Sequence, residues 1–111
     1  MKAGTNLEKV LVNRRFAVTA EVGPPKGAGT AGVLKKGEKL KNFCDAINVT
    51  DNQTAIVRMC SLAGCALLKR LEIDPVLQMV VRDRNRIAIQ SDILGAVALG
   101  VGNILCLSGD Y

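Results

Sequence analysis

Glu21 is a carboxylate inside an apolar run, residues 16–22 (FAVTAEV), directly before Gly23-Pro24-Pro25. A charged group in such a strand is costly unless it has a partner or reaches water. Glu21 therefore either faces solvent at a sheet edge or belongs to a site, and a strand buried on both faces favours the site. Three further apolar runs end in polar groups. Residues 46–50 deliver Asn48, Thr50 and Asp51. Residues 76–81 carry Gln78 and lead to Arg82 and Asp83, and residues 103–107 lead to Ser108, Gly109 and Asp110. Brought to one mouth, two carboxylates, a hydroxyl and an amide make a set that can exchange protons and hydrogen bonds with a ligand.

Each of these residues also has a plainer reading. Asp51 or Asn52 reads first as a helix cap, and Asp83 can cap the helix after it. Asp110 after Ser-Gly suits an ordinary turn. Gln78 can satisfy neighbouring side chains. The Arg82, Arg84, Arg86 series alternates with polar residues and reads as a solvated face. Met59, Cys60 and Cys65 read as core fillers of a helix.

Composition removes several classes of chemistry. The chain contains no histidine, which excludes a Ser-His-Asp or Cys-His nucleophile pair and any His-ligated metal within it; no metal site is expected. Cys44, Cys60, Cys65 and Cys106 form no C-x-x-C pair. With no secretory signal they read as reduced, buried thiols of a cytoplasmic protein. Lys plus Arg outnumber Asp plus Glu by 15 to 10, for a net charge of +5. These positives are scattered, and with Trp absent and aromatics at 3% the stacking platforms that nucleic acid needs are nearly missing. Nucleic acid is not an expected partner. The most apolar stretch, residues 93–107, carries no charge, spans 15 residues and contains three glycines. It falls short of the roughly 20 that a membrane helix needs, so no membrane is expected either.

These polar groups depend on elements that alternate along the chain. A possible N-terminal helix precedes a strand at 16–22. A loop at 27–32 leads to a lysine-rich helix at 33–43, followed by a strand at 46–50. Ile56, Met59, Cys60, Ala63, Leu67 and Leu71 recur at spacings of three and four, which predicts a helix over 54–71. A strand at 76–81, a helix at 85–99 with Ile89, Ile93 and Val97 as its stripe, and a strand at 103–107 complete the order. Strands apolar throughout predict a parallel sheet. Both a (β/α)₈ barrel and a small doubly wound sheet fit. No G-x-G-x-x-G or P-loop pattern supports a nucleotide fold. In either architecture function gathers at the carboxyl ends of the strands.

At those strand ends the chain resembles the N-terminal part of the methylenetetrahydrofolate reductase family. The resemblance runs through VTAEVGPPKG (18–27), DAINVTDNQ (45–53), DPVLQMVVRDRNR (74–86) and NILCLSGD (103–110), in order and at the family's spacing. It implies an incomplete (β/α)₈ TIM barrel, with residues 1–111 supplying the first four strands and their helices as an N-terminal fragment, inactive alone. It implies FAD as cofactor, NADH or NADPH as reductant, and reduction of 5,10-methylenetetrahydrofolate to 5-methyltetrahydrofolate. Glu21 matches the family's catalytic glutamate, which protonates N10 of the folate so that its five-membered ring opens. A carboxyl group can do this near pH 7 where burial raises its pKa. Asp110 matches the aspartate near both flavin and pterin, and with Glu21 it is carried over as catalytic and substrate-binding. Thr50, Gln78, Leu107, Ser108, Gly109 and Asp110 are carried over as flavin contacts.

Two departures from the family pattern stand out. Gln78 falls where many members carry a histidine, and Val22-Gly23 replace an aromatic pair, which loosens that side of the pocket. The full-length protein is expected to be oligomeric or to work with a partner subunit. A half-barrel that pairs with itself or with a partner is the alternative reading.

Overall fold

Each apolar run becomes a strand, and helices carry the chain between them. The computed structural model describes residues 3–109. In chain order the elements are α1 (Asn6–Val12), β1 (Thr19–Val22), α2 (Ala31–Leu40), β2 (Ala46–Val49), α3 (Ser61–Lys69), β3 (Pro75–Val80), α4 (Arg86–Ala98) and β4 (Asn103–Leu107). Short 3-10 turns at Gln53–Ala55 and Val81–Asp83 follow β2 and β3.

The strands form one parallel sheet in the order β1-β2-β3-β4. Parallel neighbours need crossovers, and these are right-handed. When every crossover advances one strand in the same direction, all the helices land on one face. A doubly wound sheet reverses direction and puts helices on both faces. The strand order thus selects between the two candidate architectures: four parallel strands alternate with helices in the manner of part of a TIM barrel.

Register sorts the side chains into two sets. Glu21 lies opposite Asn48, Asn48 opposite Val76 and Val76 opposite Asn103. The residues between them, Val22, Ile47, Val49, Leu77 and Met79, make the core with Val33, Cys65, Leu67, Leu68 and Ala96 from the helices. On the second face Ala46, Val76 and Val80 are buried, whereas Glu21 is exposed and Asn48, Gln78 and Asn103 are half-buried. Burial on both faces, expected from the apolar runs, is therefore reached only on the helix side of β2 and β3; on β4 the residues of that face, Ile104 and Cys106, are exposed.

α1 closes the amino end of the sheet through polar bonds. Thr5 Oγ1 accepts from the Glu8 N–H at 3.1 Å and donates to Asn103 Oδ1 at 2.8 Å. Asp74 accepts from the Leu7 N–H at 2.9 Å and from Asn103 Nδ2 at 3.0 Å.

Several elements differ from their expected bounds. β1 begins at Thr19, and Phe16 is 91% exposed. Its partner β2 starts only at Ala46, and Asp45 ends the pairing by accepting from the Val18 N–H. α3 begins at Ser61, not at residue 54. Asn52, Thr54 and Ala55 sit in the left-handed region with φ of 47°, 59° and 57°, and the Met59 N–H bonds to Pro25 O at 2.8 Å. That tie draws the segment across to the β1 loop, and Val57 is 83% exposed. The buried residues of α3 are Ser61, Gly64, Cys65, Leu67 and Leu68; Leu67 belongs to the expected stripe, while the rest of the face passes through a glycine and so escapes a search for apolar periodicity. A Cβ at Gly64 would lie 2.7 Å from Val49 Cγ1, so the helix sits on β2 at glycine distance. α4 is capped by Asn85, which accepts from the Ala88 N–H at 2.9 Å, and not by Asp83. Its Val97 is 68% exposed; Ala96 is the buried residue of this helix.

The thiols divide as well. Cys65 is buried, and desolvation, with Cys60 nearby, pushes its thiol up to about 12. Cys44 is half-buried, while Cys60 and Cys106 are exposed, so the expectation of four buried thiols fails for these three.

Arg84 departs furthest from its expected role. Its side chain is 14% exposed and pairs with Asp51, which is 1% exposed. Asp51 also accepts from the Val80 N–H at 2.8 Å, and Arg84 donates to Val80 O at 2.9 Å. Asp92 adds a contact at 3.4 Å. The Asp51 carboxylate above all, and then Asp92, hold the Arg84 pKa above its usual value. Arg84 thus belongs to no solvated face, and Asp51 caps no helix; together they bind the end of β2 to the end of β3. Arg82 pairs with Asp83 at 2.7 Å, and its hydrogen bond holds the Asp83 carboxyl below the usual range.

Two outcomes follow for stability. Arg84→Met strands a buried carboxylate and is expected to cost about 3–5 kcal/mol. Asp51→Asn combined with Arg84→Met recovers part of that loss. Denaturant midpoints of the singles and the double check this, and strict additivity would contradict it. Gly64→Ala is expected to lower stability by about 1–3 kcal/mol through overpacking. Gly95→Ala in α4 meets only Leu62 at 3.8 Å and is expected to gain up to about 1 kcal/mol of helix propensity. A thermal melt that ranks these two the other way would contradict the close approach of α3.

Candidate functional site

A cleft of about 240 Å³ opens at the carboxyl ends of the strands. Every strand contributes to its wall: Glu21 from β1, Thr50, Asp51 and Gln53 after β2, Gln78 and Val80 from β3, and Leu107, Ser108 and Gly109 from and after β4. The order of the sheet makes this possible, because consecutive parallel strands end on the same side. Glu21, Thr50, Gln78, Leu107, Ser108 and Gly109, all selected from the sequence, are brought together here. Asp110 lies outside the described residues.

The two carboxylates of the cleft have different surroundings. Asp51 is buried and committed to Arg84 and the Val80 N–H. Glu21 is exposed and makes no hydrogen bond or ion pair among the described residues. It stands on the open face of an edge strand, so the described residues do not bury it as the apolar run predicted. Its carboxyl is free to meet a ligand.

Thr50 is buried, and its hydroxyl donates to Gln53 Oε1 at 2.8 Å. The Thr50 oxygen keeps acceptor capacity. Gln78 reaches the cleft with its side chain, while its carbonyl accepts from Ser61 Oγ at 2.8 Å, tying β3 to the start of α3. Gly109 has φ +119°, and a Cβ there would meet Arg82 Cβ at 3.0 Å. Backbone conformation and space both require glycine at the turn that follows β4.

Sequence reading missed two contributors. Gln53 falls between the expected caps, Asp51 or Asn52, and the helix expected from residue 54; its spacing of three from Thr50 is the available signal. The Asp51–Arg84 pair joins residues 33 positions apart, a separation at which no local pattern reports contact.

A second, larger cavity of about 470 Å³ lies at the amino end of the sheet beside α1, walled by Leu7, Leu11, Val76, Ile104 and Leu105 among others. Its carboxylate, Glu8, is occupied by the N–H groups of Ala3 and Gly4, which hold its carboxyl below the usual range. Chemistry in parallel α/β folds gathers at the opposite end, where the free carboxylate stands.

No helix among the described residues is long and apolar enough to cross a membrane. Among curated proteins none matches the chain. The likeness carried by the strand-end motifs nevertheless extends through the elements between them: the model of the methylenetetrahydrofolate reductase family matches residues 6–111, and the chain belongs to that family.

Proposed function

We propose that the cleft is one half of the site where 5,10-methylenetetrahydrofolate is reduced to 5-methyltetrahydrofolate. Family membership places the chain among the folate-reducing oxidoreductases. The observation that carries the finer reading is Glu21: a carboxylate with no partner among the described residues, in a cleft whose other carboxylate, Asp51, is committed to Arg84 and whose remaining wall is Thr50, Gln53, Gln78, Val80 and the Leu107–Gly109 segment.

Such a lining suits a flat heterocycle whose edge alternates donors and acceptors. At about 240 Å³ the cleft is smaller than the pockets of about 300–1,000 Å³ that take whole drug-sized ligands. It has room for a ring system and not for an entire dinucleotide. Thr50, Gln78 and the segment Leu107, Ser108 and Gly109 would hold the isoalloxazine of FAD. Bound FAD would supply the two-electron chemistry that links NADH or NADPH to the folate.

The chain's own part is proton transfer and orientation. Glu21 donates a proton to N10, which makes that nitrogen a better leaving group and opens the five-membered ring toward hydride acceptance at the one-carbon unit. Asp110 would accept from the donor edge of the pterin. A closed barrel mouth takes eight strands and the four described here supply half of one, so turnover is expected only when the rest of a barrel is present.

In that competent form, Glu21→Gln is expected to retain flavin reduction by the nicotinamide cofactor and to lose folate turnover by about 10²–10⁴-fold, the range that general acid catalysis supplies. Stopped-flow measurement of the two half-reactions checks this. Normal folate turnover by the variant would remove Glu21 from the role.

A further inference from the structure

We propose that Gln53 is a ligand-recognition residue of the cleft, its Nε2 donating a hydrogen bond to a ring carbonyl or ring nitrogen of the bound heterocycle. This rests on the reading of the cleft given above. The first observation is the division of the amide. Oε1 accepts from the Thr50 hydroxyl at 2.8 Å, which fixes the orientation of the group. Nε2 has no hydrogen-bond partner among the described residues, and the side chain lines the cleft. Two donor hydrogens are thus available beside Glu21.

The second observation is the space made for it. A Cβ at Gly23 would lie 3.1 Å from Gln53 Nε2, closer than carbon and nitrogen ordinarily pack. Gly23 is not in the left-handed region, so its backbone has no need of glycine; the amide beside it does. The position that departs from the family's aromatic pattern is therefore filled, in part, by the amide of Gln53.

The third is the loop. Asn52, Thr54 and Ala55, on either side of Gln53, all have positive φ. Left-handed backbone is costly for threonine and alanine and persists where the surroundings impose it. Here Asn52 Oδ1 accepts from the Arg58 N–H at 2.8 Å, and the Met59 N–H is tied to Pro25 O. At the other end Asp51 is locked by Arg84. A segment pinned at both ends and strained between them presents one side chain to the cleft, a pattern that accompanies ligand clamps.

The test is isothermal titration of the holoenzyme with tetrahydrofolate, and of the flavin-free protein with FAD. Gln53→Met keeps the shape and removes the donors; Gln53→Glu keeps the acceptor for Thr50 and replaces the donors with an oxygen. The first is expected to weaken one of the two ligands about three- to tenfold, the worth of a single hydrogen bond, and the second to weaken it more. The ligand that weakens shows whether the acceptor is pterin or flavin. Gly23→Ala is expected to weaken the same ligand in the parent background and to have no further effect beside Gln53→Ala, because its Cβ acts through the displaced amide. Equal affinities of the parent, Gln53→Met and Gln53→Glu for both ligands would overturn the proposal and leave the reading of the cleft intact. Failure of the parent to bind either ligand would overturn both. Thermal midpoints within about 2 °C of the parent for Gln53→Met separate lost recognition from lost folding; if that variant unfolds, the comparison of Gly23→Ala with the parent decides alone.

Discussion

The buried carboxylate of Asp51 is the constraint on which the mouth of this sheet depends. It stands where β2 ends, and a charge placed there has to be paired or it destabilises the fold. Arg84 pairs it from beyond β3, and the Val80 N–H supplies a second bond. Because one partner ends β3 and the other lies just beyond it in the β3–α4 connection, the ends of two neighbouring strands are held in one arrangement. The loop that presents Gln53 starts from this anchored point, and Thr50 beside it is buried against the same wall. An apolar pair in place of the two charges would pack as well or better in energetic comparisons of this kind. What the ion pair provides is direction: two oxygens and a guanidinium fork fit in one geometry.

A division of labour between the two carboxylates of the cleft follows. One is neutralised by its surroundings and holds structure. The other, Glu21, has no partner among the described residues and faces the open side of the sheet. Chemistry needs an uncommitted group, and stability needs the rest committed. The strand order produces this arrangement without further devices, since helices confined to one face leave the other face to collect the polar residues of alternate strand positions.

The apolar runs made all four strands legible, and β4 was read with its observed bounds. Periods of three and four reveal the helices, yet the helix expected over 54–71 begins seven residues later, at Ser61. Ile56 and Met59 extend the apolar spacing backwards, but the Met59–Pro25 bond and three left-handed residues take the chain elsewhere. Nothing local in the sequence reports that tie. Gly64 hid the true buried face of α3, because close approach to Val49 is a property of two elements and not of one. The site was legible at the level of strand ends: Glu21, Thr50, Gln78 and the Leu107–Gly109 segment all reach one cleft. Arg84 was misread, since three alternating arginines look alike until a buried carboxylate singles one out.

The central claim is that the carboxyl end of the sheet, and not the larger apolar cavity at its amino end, receives the ligand. Amide chemical shifts followed by NMR during titration with tetrahydrofolate test it most directly. Perturbations at Glu21, Thr50, Gln53, Gln78 and Leu107 to Gly109 are the expected result. Perturbations centred on Leu7, Leu11, Asn48 and Asn103, around the cavity beside α1, would contradict it.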